Sequence, residues 1–257
     1  MFPLKSSPNW APFRRAVFEF LIIVTGVLVA LTADEWRQEW GERQDLEEHL
    51  ASVLEEVRAN AGTVRIVRSG ISSRKISALE AVIAHLESGD SMVTDPEALL
   101  EEFADSTAVW RPFIVRNQFD ALKNSGLLRL ARDDDLVNQM SGTFEISQIL
   151  FDQVNLIQGE YPIVVNQFIP ASYQSSLGGM ATYSRGGVAP EIALDIGAGD
   201  AVALIHDERS RLLRLARSEA AVATAVWYAL TRILDDFQQL ERLLSDRLGV
   251  PSMADEV

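Results

Sequence analysis

The stretch "FEFLIIVTGVLVALTADEW", Phe18 to Trp36, constrains this chain more than any other feature. From Phe20 to Ala33 there are 14 consecutive uncharged residues, and from Ala16 the run reaches 18 with Glu19 as its one charged member. A helix rises about 1.5 Å per residue, so such a run extends roughly 27 Å, close to the hydrocarbon thickness of about 30 Å that a spanning helix must cross. The uncharged stretch alone is too short, so Glu19 must lie at an interface if the segment spans. Arg15 stands four residues earlier on the same helix face, where the two side chains can pair and reach the headgroups. At the other end Trp36 and Trp40 follow at helical spacing, as an aromatic belt does at a membrane interface.

A cleaved signal peptide shares the basic start and the apolar stretch. It also needs small residues before the cut, and here Leu31 falls three residues before a cut after Ala33. The expectation is therefore an uncleaved transmembrane helix over 16–33, preceded by a cytoplasmic segment, 1–15, and followed by an acidic helical domain, 34–248. Lys5, Arg14 and Arg15 precede the run, and Arg37 and Arg43 follow it among acids. This bias places the amino terminus inside the cytoplasmic membrane and the main domain outside, in the periplasm of a Gram-negative cell. Gly26 and Ala30 form a small-xxx-small pair through which a second copy could approach.

Charge narrows the partners. The chain of 257 residues carries a formal −14, and residues 1–33 hold +2 of it, leaving about −16 on the rest. Such a domain is repelled by nucleic acid and by anionic headgroups, so nucleic acid is not an expected partner. With 47% apolar residues the chain can bury a core. It contains no cysteine, which excludes disulfides, thiol catalysis and thiolate-bound metal.

Beyond Trp36 the periodicity is helical. Leu46, Leu50, Val53, Val57, Ala61, Val64, Val67 and Ile71 are spaced 4, 3, 4, 4, 3, 3 and 4, an amphipathic stripe that needs either a second chain or other helices of this one. One long helix is expected to about Arg68, with Gly70 as its end or a kink. Ile76 to Leu86 reads as a further helix stopped at "ESGD". "TDPEALLEEF" opens another, with Asp95 as N-cap and Pro96 at the first helical position. "RPFIVRNQFDALKNSG" reads as a short helix ended by Gly126, and "RDDDL" opens the next with Asp133 as its cap. A helix from Ala220 to Leu244 keeps apolar 3–4 spacing, with Asp235, Asp236 and Glu241 on its outer face. It stops at Gly249-Val250-Pro251, leaving a loose tail over 249–257. Residues 170–200 hold six glycines and two prolines, a long loop for a compact domain. The expected fold class is all-α: the transmembrane helix runs into the long amphipathic helix, packed in an antiparallel bundle of four or five helices.

No catalytic or cofactor-binding set emerges. "DIGAGD", Asp195 to Asp200, lacks the strand and the glycine spacing of a dinucleotide loop. "DDD", Asp133 to Asp135, lacks calcium-loop spacing and reads as capping. His49, His85 and His206 stand apart without metal-ligand spacing and read as surface or interhelical residues. Adjacent acids such as Glu55–Glu56 and Asp235–Asp236 point to different sides of a helix and read as solvated faces. "WRPFIVRNQF" sets Trp110, Arg111 and Arg116, with Lys123 beyond, in an otherwise acidic domain, the one place where a small anion or a partner carboxylate could dock.

Two stretches carry a resemblance. "EFLIIVTGVLVALTADEW" resembles the amino-terminal segment of a family of uncharacterised bacterial membrane proteins, in which a glutamate, a Val-Gly-Val-Leu-Ile-Ala-Leu-like run and a tryptophan-bearing polar end recur. "FDALKNSGLLRLARDDDL", Phe119 to Leu136, is similar to its second signature: an aromatic, Leu-Lys-x-Ser-Gly-x-Leu, then an acid-capped leucine. The chain departs from the pattern at Asp34–Glu35, where asparagine is frequent, and in its glycine-rich loop. The resemblance implies a single-pass, helical, membrane-anchored protein and brings no catalytic residues. The expected function is a non-enzymatic envelope module that binds or senses an unknown protein, as a homodimer through its transmembrane and amphipathic helices. The alternative is a membrane-tethered hydrolase or accessory enzyme with a site near residues 110–130.

Overall fold

The computed structural model describes residues 11–89, 93–108, 113–156, 159–170 and 196–253, except for the side chains of 11–17, 19, 22 and 154–156. The chain is all-α, and among the described residues there is no strand. Helix α1 (Ala11–Gly70) passes through one π-turn (Ile71–Ile76) into α2 (Ser77–Ser88) without a break. Then come α3 (Pro96–Ser106), α4 (Asn117–Ser125), a 3₁₀ turn (Leu127–Leu130) and α5 (Asp134–Leu156). The last helices are α6 (Glu160–Val165), α7 (Ala198–Asp207) and α8 (Arg209–Leu248).

Local chemistry accounts for most of these ends. Asp95 accepts a hydrogen bond from the Ala98 amide at 3.1 Å, with Pro96 at the first position of α3. Asp133 accepts from the Leu136 amide at 3.0 Å to start α5. Gly89, Gly126 and Gly249 end α2, α4 and α8 with φ of 69°, 73° and 65°, a conformation a Cβ would strain.

Two cores lie in series along α8. The first joins α1 from Leu46 to Val67 with Phe119 and Leu122 of α4, Leu136 to Phe151 of α5 and the later half of α8. Phe144 stacks on Phe119 at 4.7 Å and meets Phe237 edge-on at 5.8 Å, adding about 0.5–1.5 kcal/mol per ring pair to the burial itself. The second core joins α2, α3, α6, α7 and the earlier half of α8. Arg58 meets Glu241 and Lys75 meets Glu219, so α1 and α8 run antiparallel. Among the described residues the first core draws on α1, α4, α5 and α8, and the second on α2, α3, α6, α7 and α8. The stripe Leu46 to Ile71 is buried against helices of its own chain.

Several expectations are corrected. α1 does give way at Gly70, as expected, but Gly70 is itself right-handed helical (φ −58°) and the chain continues through the π-turn into α2. Glu56 and Glu241 are not on solvated faces: they are 6% and 3% exposed. The tail is held as far as Met253, because Pro251 O accepts from Arg58 at 2.8 Å and the Met253 amide donates to Glu241 at 3.1 Å. Of the loop at 170–200, residues 171–195 lie outside the described residues.

Among the described side chains, those of α1 from Phe18 to Trp40 are exposed except Val24, which is half-buried. Phe18, Phe20, Ile23, Leu28 and Val29 are at least half exposed, as are Trp36 and Trp40. Among the described residues no helix is long and apolar enough to cross a membrane. The expected span 16–33 includes the undescribed side chains of Ala16, Val17, Glu19 and Ile22.

Candidate functional site

The π-turn carries Arg74 and Lys75 across the level where the two cores meet. A π-turn takes one residue more than an α-turn, is rare, and is frequently found at functional sites. Lys75 is 8% exposed and Glu219 of α8 is 6% exposed. Lys75 Nζ lies 2.6 Å from Glu219 Oε1 and donates to the Ala108 carbonyl at 3.0 Å. A Cβ on Gly159 would come within 2.3 Å of Glu219 Oε2, so the carboxylate is packed against bare backbone on its other side. Beside it, Ser106 donates to Phe103 O at 2.6 Å and accepts from the buried Tyr161 hydroxyl at 2.7 Å. Burial pushes the Tyr161 pKa up, and the charge on Glu219 adds to that against the Ser106 hydrogen bond, so the phenol stays neutral. This seam is a set of mutually engaged groups, suited to holding the π-turn, α3, α6 and α8 in register. Neither ion of a pair so engaged is free to act on a substrate.

A second polar clasp holds α4. Glu56 accepts from the amides of Gln118 at 2.9 Å and Phe119 at 3.2 Å, capping α4 from another helix. Asn60 takes both the Val115 carbonyl (2.7 Å) and the Val115 amide (3.0 Å).

A cleft lies elsewhere. About 810 Å³ opens at the end of the first core nearest Trp40, between Arg43 and Glu47 of α1, Arg132 to Asp134, and Arg247 of α8. Arg132 has φ of 50°, a left-handed conformation uncommon outside glycine. Three arginines face four acids in the whole lining, so the cleft favours neither an anion nor a cation.

The structure distributes the candidate residues as follows. Trp110, Arg111 and the side chains of Arg15 and Glu19 lie outside the described part of the chain. Arg116 pairs with Asp120 at 2.9 Å and Lys123 with Glu145 at 3.4 Å. Both cations also lie over the Phe119 ring, at 5.8 and 5.9 Å. The second signature is thus largely a packing device around Phe119, Gly126 and Asp133. Gly26 and Ala30 are exposed, and a Cβ added at Gly26 would meet nothing within 4 Å. A shallow groove of about 510 Å³ runs there between Phe18, Leu21, Thr25 and Val29. Trp36 and Trp40 stay exposed, and "DIGAGD" supplies the start of α7 from Gly197 onward. Sequence reasoning does not find Lys75, Glu219, Tyr161, Glu56 or Asn60. Their signal is a polar residue in phase with an apolar stripe, as Lys75 is four residues after Ile71.

No protein-family model, curated protein or solved structure matches the chain.

Proposed function

We propose that the chain is a membrane-anchored interaction or sensing module, held in the bilayer by residues 16–33 with its helical domain on the far side of the cytoplasmic membrane. The observation that carries this reading is the change of surface along one helix. From Phe18 to Leu31 α1 exposes large apolar side chains all round, and from Leu46 its apolar stripe is covered. In water that apolar surface would be costly at about 25 cal/mol per Å², whereas acyl chains cover it at no such cost. Thr32 supports the same reading, because its hydroxyl returns to Leu28 O and Val29 O at 3.0 Å and is satisfied within the helix. The resemblance to single-pass bacterial membrane proteins agrees with it. Arg15 with Glu19 at one interface and Trp36 with Trp40 at the other bound the span. A second copy packing on Gly26 and Ala30 is the homodimer that the exposed part of α1 leaves room for.

The reading favours binding over catalysis because Arg116 and Lys123 are engaged within the chain and, of the described residues in 110–130, only Leu130 lines either cleft. Membrane fractionation with a carbonate wash tests the anchor: the chain is expected in the pellet, and release to the supernatant overturns it. A carboxyl-terminal alkaline phosphatase fusion is expected to be active; a stable but inactive fusion reverses the orientation. In-cell crosslinking then reports the partner.

A further inference from the structure

The cleft of about 810 Å³ at the Trp40 end of the first core is of a size that holds a small ligand. Its lining includes apolar side chains buried from solvent, Leu46 and Ala131, beside a charged rim. Arg132, just before α5, and Arg247, at the end of α8, supply cations; Asp134 and Asp135, in the first turn of α5, supply carboxylates. Among the described residues none of these four side chains makes an ion pair or a hydrogen bond. Arginine and aspartate that share a cleft without closing on each other leave space for a group that carries both charges. A phosphate suits the guanidinium groups, and an ammonium suits the carboxylates.

Three observations choose among such groups. The first is position, and it rests on the anchor proposed above. Arg43 and Leu46 line the cleft three and six residues beyond Trp40, which is about 5 and 9 Å along the helix. The polar layer outside the hydrocarbon is about 5–8 Å deep on each side, so with Trp40 at the interface the cleft opens at the level of the lipid headgroups. The second is charge. Residues beyond 33 carry about −16, which repels an anionic headgroup and leaves a zwitterionic one unopposed. The third is the kind of ammonium. A choline group has no N–H and is held by aromatic faces, yet among the described residues no aromatic ring lines the cleft. A primary ammonium donates three hydrogen bonds, which carboxylates accept.

We propose that this cleft binds the phosphoethanolamine headgroup of a zwitterionic phospholipid, Arg132 and Arg247 taking the phosphate and Asp134 and Asp135 the ammonium. A lipid seated there ties the base of the first core to the bilayer surface.

The test uses the full chain, delipidated in uncharged detergent and followed by native mass spectrometry. It is titrated with phosphatidylethanolamine, phosphatidylcholine and phosphatidylglycerol of the same acyl chains, and with free phosphoethanolamine. One phosphatidylethanolamine per chain is expected to saturate, about tenfold ahead of the other three ligands. Asp135→Asn should abolish the preference over phosphatidylcholine. Arg132→Asn should weaken phosphatidylethanolamine about tenfold, and asparagine accepts the left-handed backbone that Arg132 holds. Arg247→Gln serves in its place if that variant does not fold, and Lys123→Gln, outside the cleft, should change nothing. Equal occupancy by the ethanolamine and choline lipids, a preference for phosphatidylglycerol, or undiminished selectivity in the cleft variants overturns the site. Free phosphoethanolamine bound as tightly as the lipid overturns the lipid assignment in favour of a soluble zwitterion. A chain that stays in the carbonate pellet yet shows no headgroup preference overturns the cleft and leaves the anchor standing. One that keeps the preference but is washed off overturns the anchor alone.

Discussion

A charge buried beside its counter-charge contributes little, yet it is costly to orphan. Lys75 and Glu219 are such a pair. Lys75→Met should destabilise the domain by about 3–5 kcal/mol, because Glu219 is then left unpaired, while Lys75→Met with Glu219→Met should return to near wild type or above. Urea unfolding of the two singles and the double measures this; a double as unstable as the single refutes the seam. Glu241 makes a different prediction. Burial alone would raise its pKa, but hydrogen bonds from Ser252, the Met253 amide, Arg58 and Ser245 outweigh that and hold it at about 2, against an ordinary 4.5. The folded value is the lower one, so its stabilisation is complete above about pH 4.5 and is lost as pH falls through 2. It amounts to something on the order of 3 kcal/mol. Unfolding of Glu241→Gln beside wild type should therefore show a gap at pH 7 that closes toward pH 2; a gap independent of pH would refute the assignment.

Among the elements, the π-turn stands apart. It absorbs one extra residue locally, whereas a deletion inside regular α-helix turns everything beyond it by about 100°. Deleting Ser73 in the π-turn should thus cost far less stability than deleting the exposed Ile66 in α1, as chemical denaturation will show; equal costs would mean the turn accommodates nothing. The same contrast separates what is legible in the sequence from what is not. The caps at Asp95 and Asp133 and the stops at Gly89, Gly126 and Gly249 are legible because each acts on its own turn. The start of α4 at Asn117 is not, because its cap, Glu56, comes from another helix. Gly70 is legible as the end of α1, but the continuation past it as a π-turn is not, because the packing that carries the helix on is tertiary. Of the candidate site, Lys75 and Glu219 are not legible as partners, since only the fold brings the π-turn against α8.

At the scale of the molecule, all the described buried residues lie beyond Trp40. A chain beginning at Gly41 keeps both cores, whose first buried residue is Leu46. It should remain in solution without detergent, give a helical circular dichroism spectrum and unfold cooperatively. Aggregation of this truncated chain would show that the preceding residues are part of the folded unit. The long helix has a geometric consequence too. From Trp40 through the π-turn to His85 the chain is helical throughout, and at about 1.5 Å per residue that contour is roughly 70 Å long. It works as a ruler. One heptad inserted between Trp40 and Leu46 would raise both cores by about 10 Å and turn their faces by only about 20°. How far the domain stands from the aromatic pair, and which surface it shows there, are set by different stretches of a single helix.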